Sequence, residues 1–179
     1  MRRILIAGAA MVALAACQTT GADSAPDAAQ LDVAFAGGGW DGERIPQGQQ
    51  CSKFGGDGKT PPLRVANVPA AADMIVVEFN DRDYQPMSYD GGHGKIGFPV
   101  KGEGGTVTLP SVPGETADLP GSARVGEKNR ATGDYARPGY LPPCSGGRGN
   151  DYFAVVKALD TDADPQMVVG LGRIELGRY

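Results

Sequence analysis

The chain has 179 residues, of which 28 are glycine and 14 are proline, and its formal net charge is −4 at pH 7. Because glycine and proline are poor helix formers, this composition argues against a helical bundle. The small net charge argues against a disordered chain, and the length suits a single domain. The acidic balance also argues against a nucleic acid as the partner.

The first 17 residues, MRRILIAGAAMVALAAC, have the pattern of a bacterial export signal. Two arginines precede an uncharged apolar stretch that is too short to be a transmembrane helix. Residues 14–17, LAAC, resemble the bacterial lipobox, in which the cysteine is acylated with fatty acids such as palmitate and becomes the first mature residue. We therefore predict a lipoprotein signal peptide over residues 1–16, with Cys17 as the lipidation site.

The residues after Cys17 are small and polar and have no apolar periodicity, which predicts a lipidated flexible tether over residues 17–30. Residue Gln18 follows the cysteine, where an aspartate would favour retention in the inner membrane. The lipobox resemblance therefore implies a bacterial cell-envelope protein that is anchored in the outer membrane and faces the periplasm. We expect the folded domain to span residues 31–179.

Two cysteines, Cys51 and Cys144, remain after Cys17 is assigned to the lipid anchor. In an oxidising compartment this pair favours a disulfide, and two buried free thiols are the alternative. A metal site is disfavoured, because no second cysteine or histidine lies at ligand spacing from either residue.

Short apolar runs of strand length recur along the mature chain, each closed by glycine, proline, asparagine or aspartate. The runs MIVVEF (residues 74–79) and YFAVVKAL (residues 152–159) are largely apolar at successive positions, which is typical of strands covered on both faces. We predict these two strands at the centre of the structure. Flanking strands are predicted at residues 31–35, 96–100 and 106–109.

Residues 111–151 are rich in proline and glycine and carry no clear strand pattern. Loops of this length in a compact domain are usually functional or disordered. Near the end of the chain, residues 165–176 allow one short helix, which Asp164 would cap and Pro165 would open, or no helix at all.

Three features of the mature chain match one known family. Residues 51–83 run from a cysteine through Pro-Pro-Leu and Val-Pro into an apolar strand that ends in Asp-Arg-Asp. Residues 139–160 contain Gly-Tyr, Pro-Cys and the strand that ends in Ala-Leu-Asp, and His93 is the only histidine. These features resemble the phosphatidylethanolamine-binding protein family in its bacterial Raf-kinase-inhibitor-like branch.

The resemblance implies a mainly β protein with a single β-sandwich-like domain, a central sheet, long Gly/Pro-rich loops and at most short peripheral helices. It also implies a small pocket at one end of the sheet that takes phosphate-type head groups. The predicted ligand-binding residues, carried over by position, are Asp81, Asp83, His93, Asn150 and Tyr152.

The chain departs from the family pattern where the pocket would bind an anion. Arg82 takes the place of proline in the family's Asp-Pro-Asp motif, and Asn150 and Asp151 replace the histidine and arginine of its Gly-x-His-Arg motif. Charge-assisted hydrogen bonds are about twice as strong as neutral ones, so losing two cationic donors weakens an anion site. Arg82 and Arg148 are candidates to restore the positive charge.

We therefore expect a non-enzymatic lipoprotein that binds a small anionic or polar ligand, or a protein partner, and uses no cofactor. The sequence has neither the Gly-x-Ser-x-Gly motif of serine hydrolases nor the His-Glu-x-x-His motif of zinc proteases. Two alternatives remain open. One is a metal-dependent hydrolase that uses Asp81, Asp83 and His93; the other is a structural lipoprotein with a vestigial pocket.

Overall fold

The computed structural model describes residues 28–37, 39–101 and 104–179. The predicted signal peptide (residues 1–16) and residues 17–27 of the predicted tether lie outside these ranges. No helix in the described part of the chain is both long and apolar enough to cross a membrane. The helical segments of this part are three short 3-10 helices, Ser52–Phe54, Gln85–Met87 and Gly133–Tyr135.

The described chain forms nine strands, which alternate with long loops. In chain order they are β1 (Ala29–Gln30), β2 (Asp32–Phe35), β3 (Leu63–Val68), β4 (Met74–Asp81), β5 (Gly94–Pro99), β6 (Gly105–Leu109), β7 (Arg124–Glu127), β8 (Asp151–Asp160) and β9 (Met167–Arg178). One sheet has six strands in the order β1-β9-β8-β4-β5-β7, and the other has three in the order β2-β3-β6. The prediction of a mainly β domain with only short peripheral helices is confirmed.

The two apolar runs predicted at the centre, β4 and β8, are the middle strands of the large sheet, so that prediction is confirmed. They pair antiparallel from Met74↔Leu159 to Asp81↔Tyr152. Their inward side chains and those of the small sheet belong to one hydrophobic core. Its members from these strands include Ile75, Val77, Phe79, Ala154, Val156, Leu63, Val65 and Leu109.

Strand β9 forms near the end of the chain, where the sequence allowed one short helix or none, and its glycines permit close contact with the N-terminal strands. A Cβ added to Gly172 would lie 2.8 Å from Val33 Cγ2 and 2.9 Å from Leu31 Cβ. Gly170 is equally close to Leu31. The glycines therefore make room for the N-terminal strands against β9. Strand β1 begins at Ala29, within the last residues of the range predicted as tether.

Cys51 and Cys144 form the predicted disulfide across a sequence separation of 93 residues. The bridge joins the start of the first 3-10 helix to the long loop before β8. Both cysteines belong to a small second hydrophobic cluster with Met87 and Leu141. The disulfide therefore fixes one side of the loop that the sequence left without a strand pattern.

Candidate functional site

One end of the large sheet opens into a cavity of about 380 Å³. At this end β4 finishes, and β5 and β8 begin, so antiparallel pairing brings residues distant in sequence together. The residues that line the cavity are Asp81, Asp83, Tyr84, Met87, His93, Arg130, Ala131, Thr132, Tyr135, Leu141, Cys144, Ser145, Arg148 and Asn150. We call its buried part, Asp81 and His93 with half-buried Asn150, the inner end. The exposed lining residues Asp83, Tyr84, Thr132 and Arg148 form the rim.

Four of the five residues predicted to bind a ligand, Asp81, Asp83, His93 and Asn150, line this cavity. Tyr152 lies behind it. Its ring meets the His93 ring edge to face, with the centroids 5.3 Å apart. Its hydroxyl accepts a hydrogen bond from the backbone N–H of Cys144 at 3.2 Å. Direct ligand contact by any of these five residues stays a prediction. Tyr152 packs against His93 from behind the cavity and so supports a residue that lines it.

Backbone contacts hold His93 in place. Its N–H donates to the carbonyl of Phe79 at 2.9 Å, and its own carbonyl accepts from the N–H of Leu141 at 2.8 Å. The preceding turn is held by Asn80, whose Oδ1 accepts from the N–H groups of Gly91 and Gly92. The imidazole therefore has a defined position at the end of the sheet.

The His93 ring has one nitrogen bonded to the backbone and one that faces the inner end. Nδ1 lies 2.8 Å from the carbonyl oxygen of Leu141. Because a carbonyl only accepts, Nδ1 carries the proton of the neutral ring. Burial lowers the pKa of His93, although the hydrogen bond to Leu141 and the charge of Asp81 oppose this shift. Nε2 of the neutral ring is then a hydrogen-bond acceptor.

Asp81 provides the second acceptor of the inner end. Its Oδ2 lies 4.0 Å from His93 Nε2, and both side chains are about 95% buried. Oδ1 accepts from the N–H of Asp83 at 2.9 Å, and Oδ2 accepts from Nδ2 of Asn150 at 2.8 Å. Nε2 of His93 has no hydrogen-bond partner among the residues that the structure describes. Two buried acceptors therefore face the same part of the cavity.

The two departures from the family motifs have structural contacts of their own. Asp151 donates its N–H to Asp83 Oδ2 at 2.7 Å and forms a two-point ion pair with Arg178, its partner on β9, at 3.0 and 3.1 Å. Arg82 forms an ion pair with Glu175 at 2.7 Å and lies over the Phe153 ring. Arg82 is absent from the cavity lining. It therefore does not supply the missing positive charge.

Positive charge near the cavity comes from Arg130 and Arg148. The guanidinium of Arg130 is engaged with Asp90 at 3.0 Å and with the carbonyl of Tyr89 at 3.1 Å. Arg148 is exposed at the rim. It is one of the two arginines that the sequence suggested as sources of the missing positive charge. The positive charge of the lining thus lies at its outer parts, away from Asp81.

A metal ion does not fit the described residues. They contain no group of three or more histidine, cysteine, aspartate or glutamate side chains that could hold one. Both carboxylate oxygens of Asp81 already accept hydrogen bonds, and Oδ2 of Asp83 accepts from the N–H of Asp151. The arrangement therefore does not favour the metal-dependent hydrolase.

Sequence reasoning missed several lining residues that lie in the long segment 111–151. The segment had been singled out only by its length and its glycine and proline content, which mark functional loops in general. No local pattern distinguishes its lining residues from their neighbours. Those that were not predicted are Arg130, Ala131, Thr132, Tyr135, Leu141 and Ser145.

No protein-family model matches the sequence, and no match is found among curated proteins. The structure, however, is similar to solved structures. A phosphatidylethanolamine-binding protein homolog from Chlamydia trachomatis is 20% identical, with a TM-score of 0.50, over 86% of this chain and 97% of that one. E. coli YbcL, described as a new member of the mammalian family of these proteins, is 19% identical, with a TM-score of 0.53, over 84% and 98%.

The likeness covers the described domain and nearly the whole of each matched chain. At these identities it shows the fold alone. The chain therefore has the phosphatidylethanolamine-binding protein fold, as the resemblance of its motifs had implied.

Proposed function

We propose that the chain is a non-enzymatic, lipid-anchored cell-envelope member of the phosphatidylethanolamine-binding protein family that binds a small polar ligand. The observation that carries the proposal is the open cavity of about 380 Å³, where Asp81 and His93 converge at the inner end. Such a concave site with a few convergent polar groups is typical of small-molecule binding. The shared fold and the two matched segments support the family.

The contacts of the inner end support binding rather than catalysis. His93 Nδ1 is bonded to the backbone, and Nε2 faces a carboxylate instead of a hydroxyl or thiol. Ser145 donates its hydroxyl to the carbonyl of Tyr179 at 2.8 Å and is not activated by a base. A nucleophile and a base within hydrogen-bond reach are needed for covalent catalysis, and the described residues do not combine them here.

The open cavity also favours a working site over a vestigial pocket, because a pocket without function can be filled by larger side chains at no cost. It favours a small ligand over a protein partner as well. The polar groups Asp81 and His93 are buried below the rim, where a compound of a few atoms reaches them more easily than a protein surface does.

A cavity-filling variant tests ligand binding. Ala131 lines the cavity, and Ala117 is exposed outside the lining, so Ala131→Trp and Ala117→Trp form a matched pair. The full-length chain in mild detergent is heated with inorganic phosphate, phosphoethanolamine, ethanolamine, ethylene glycol or acetate. We expect at least one compound to raise the Tm of the natural chain and of Ala117→Trp but not of Ala131→Trp. If no compound raises the Tm of the natural chain or of either variant, the proposal of a small-ligand site in this class is wrong.

A further inference from the structure

The path of the chain into β1 shows which end of the domain lies towards the N-terminal segment. Strand β1 pairs parallel with β9, with Ala29 opposite Gly170. Strand β9 runs from the end of β8 at Asp160 to the start of β8 at Asp151, which lies at the cavity. The chain therefore enters β1 from the end of the large sheet that lies opposite the cavity. We call this end, where β4 and β9 begin and β8 finishes, the far end.

Packing and hydrogen bonds fix the place where the chain enters the domain. Leu31, directly after β1, is 2% exposed, and its N–H donates to the carbonyl of Leu171 at 2.9 Å. Its side chain packs closely where Gly170 and Gly172 leave room on β9. The N-terminal segment is therefore attached to the domain at one defined place, on the β9 side of the large sheet.

The number of residues before β1 limits how far an anchored domain can turn. Cys17, the predicted lipidation site, precedes Ala29 by about 12 residues, which span about 40 Å when fully extended and about 20 Å on average as a flexible chain. From the level of Ala29, the sheet continues for about 7 residues of β8, or about 23 Å, before it ends at the cavity. The rim can therefore reach a bilayer only when the predicted tether is stretched beyond its average span.

Charge does not draw the cavity end onto a bilayer. The rim carries one acidic and one basic side chain, Asp83 and Arg148, and these two charges cancel. At the far end, the turn between β8 and β9 carries Asp162 and Asp164. An anionic lipid surface therefore attracts neither end, and the connection to the anchor decides which end lies nearer the bilayer.

We infer that the far end faces the bilayer in the anchored protein and that the cavity opens away from it. This inference rests on the lipid anchor of the proposed function and adds the orientation of the domain. The far end is then the surface nearest the lipid, and the rim is reached from the aqueous compartment. Dissolved molecules have free access to the cavity, whereas the head groups of the anchoring membrane do not.

Fluorescence quenching on vesicles tests the orientation. Gln166 at the far end and Thr132 at the rim are both exposed, so Gln166→Cys and Thr132→Cys form a matched pair. Each acylated full-length variant carries one dye on the new cysteine, with Cys51 and Cys144 kept in their disulfide. The vesicles consist of phosphatidylcholine, which has no net charge, with or without a spin label on the head group that quenches the dye. We expect at least threefold stronger quenching at position 166 than at position 132, because about 30 Å of β8 separates the two ends.

A longer tether provides the control for this measurement. Insertion of about 24 glycine and serine residues after Gln18 raises the average span of the segment before β1 to about 35 Å, which exceeds the length of sheet that it must pass. Both ends of the domain can then reach the bilayer, and we expect the difference between the two positions to shrink to less than twofold. A difference that persists unchanged would overturn the role of the tether in setting the orientation.

Two further outcomes would overturn the inference. Equal or stronger quenching at position 132, in a chain that sediments with the vesicles, would refute the orientation and leave the anchor and the cavity of the proposed function intact. A full-length chain that carries no acyl group and does not sediment with the vesicles would refute the anchor and the orientation together. Small-ligand binding is measured separately by the Tm of the natural chain and of Ala131→Trp.

Discussion

His93 couples the protonation of the inner end to the stability of the fold. It is the only histidine of the chain and is 3% exposed. Burial lowers its pKa in the folded protein below the ordinary value of 6.5, which the unfolded chain retains. The unfolded state therefore binds the proton more readily, and stability should fall as pH decreases through 6.5 towards the folded-state pKa.

Urea unfolding at about pH 7.5, 6.5 and 5.5 measures this effect in the natural chain and in His93→Asn. Asparagine retains a short side-chain donor for the Leu141 carbonyl but does not titrate. We expect the free energy of unfolding of the natural chain to decrease over this range more steeply than that of the variant. An equal slope in the two proteins would mean that His93 is not the group responsible.

Tyr140 carries a buried hydroxyl that has no hydrogen-bond partner among the described residues. The residue is 1% exposed, and its ring packs on Phe79 with the centroids 4.4 Å apart. An unpaired buried hydroxyl loses its water contacts without compensation, and the same burial raises the pKa of this phenol. The aromatic ring of Tyr140 therefore stabilises the fold, whereas its hydroxyl does not.

Tyr140→Phe should leave the free energy of unfolding unchanged or raise it by about 1 kcal/mol. Tyr152→Phe is the matched comparison, because the Tyr152 hydroxyl accepts the N–H of Cys144. That change should lower the free energy of unfolding by about 1 kcal/mol. Chemical denaturation of the three proteins measures both effects, and a clear loss of stability in Tyr140→Phe would show that its hydroxyl has a partner after all.

Single residues of the site differ in how far sequence could predict them. Asp81 and His93 were predicted as site residues because the family resemblance carried them over by position, and they lie at the end of β4 and directly before β5. Arg130 and Tyr135 were not, because they reach the cavity through the path of a long loop whose conformation has no local pattern. The loss of two motif cations was visible in the sequence, whereas the ion pair that Asp151 forms with Arg178 depends on the register of β8 and β9.

At the scale of elements, strand β9 depends on its glycines for contact with the N-terminal strands. Adding a Cβ to Gly172 would bring it within 2.9 Å of Leu31 and Val33, closer than packed carbon atoms allow. Gly172→Ala should therefore lower the free energy of unfolding by about 1–3 kcal/mol, as overpacked core substitutions do. Thermal or chemical unfolding measures the loss.

Gly126 in β7 provides the control for this change. A Cβ added there would meet its nearest atom, the carbonyl oxygen of Lys95, at 3.6 Å, which is ordinary contact. Gly126→Ala should therefore change the free energy of unfolding by no more than about 0.5 kcal/mol. A similar loss of stability in both variants would point to a general effect of alanine in strands rather than to the contact of β9 with Leu31.

A strand could be predicted from the sequence where its amino-acid composition alone indicates a strand, without knowledge of tertiary contacts. Strands β4 and β8 are largely apolar at successive positions: one face of each lies in the hydrophobic core, and the other carries half-buried residues such as Val76 and Val155. For the segment of β9 the sequence allowed one short helix opened by Pro165, or no helix, because Gly170 and Gly172 lower its helix propensity. What makes it a strand is antiparallel pairing with β8 along nearly its whole length, a contact that local periodicity cannot report. The sequence predicted no strand at β3, although burial alternates there from Leu63 to Val65.

The disulfide joins the long loop of residues 111–151 to the start of the first 3-10 helix. Cys144 lines the cavity, while Cys51 begins the first 3-10 helix and is fully buried. Closing a long loop restricts the unfolded chain, so the double variant Cys51→Ala/Cys144→Ala should lose about 2–4 kcal/mol of unfolding free energy. Urea unfolding with and without reductant measures it. The natural chain should lose stability in reductant, and the double variant should be insensitive to it; insensitivity of the natural chain would contradict the assigned role.

At the scale of the whole molecule, the folded domain and the N-terminal segment have separate roles in the proposed protein. The domain supplies the cavity, and its disulfide suits an oxidising compartment. The N-terminal segment lies outside the described residues, and its role rests on the lipobox resemblance of residues 14–17. Membrane attachment is therefore the part of the proposal that needs a test independent of the fold.

Expression of the full chain in a bacterium with an outer membrane tests the lipid anchor. We expect a mature protein that begins at Cys17, incorporates labelled palmitate and sediments with the outer membrane, because acyl chains anchor it there. Cys17→Ser removes the acylated thiol and should abolish the label. Gln18→Asp keeps the lipid and should move the protein to the inner membrane, as the sorting rule implies. An unlabelled natural chain that remains in the soluble fraction after removal of residues 1–16 would show that the segment is an ordinary secretion signal instead.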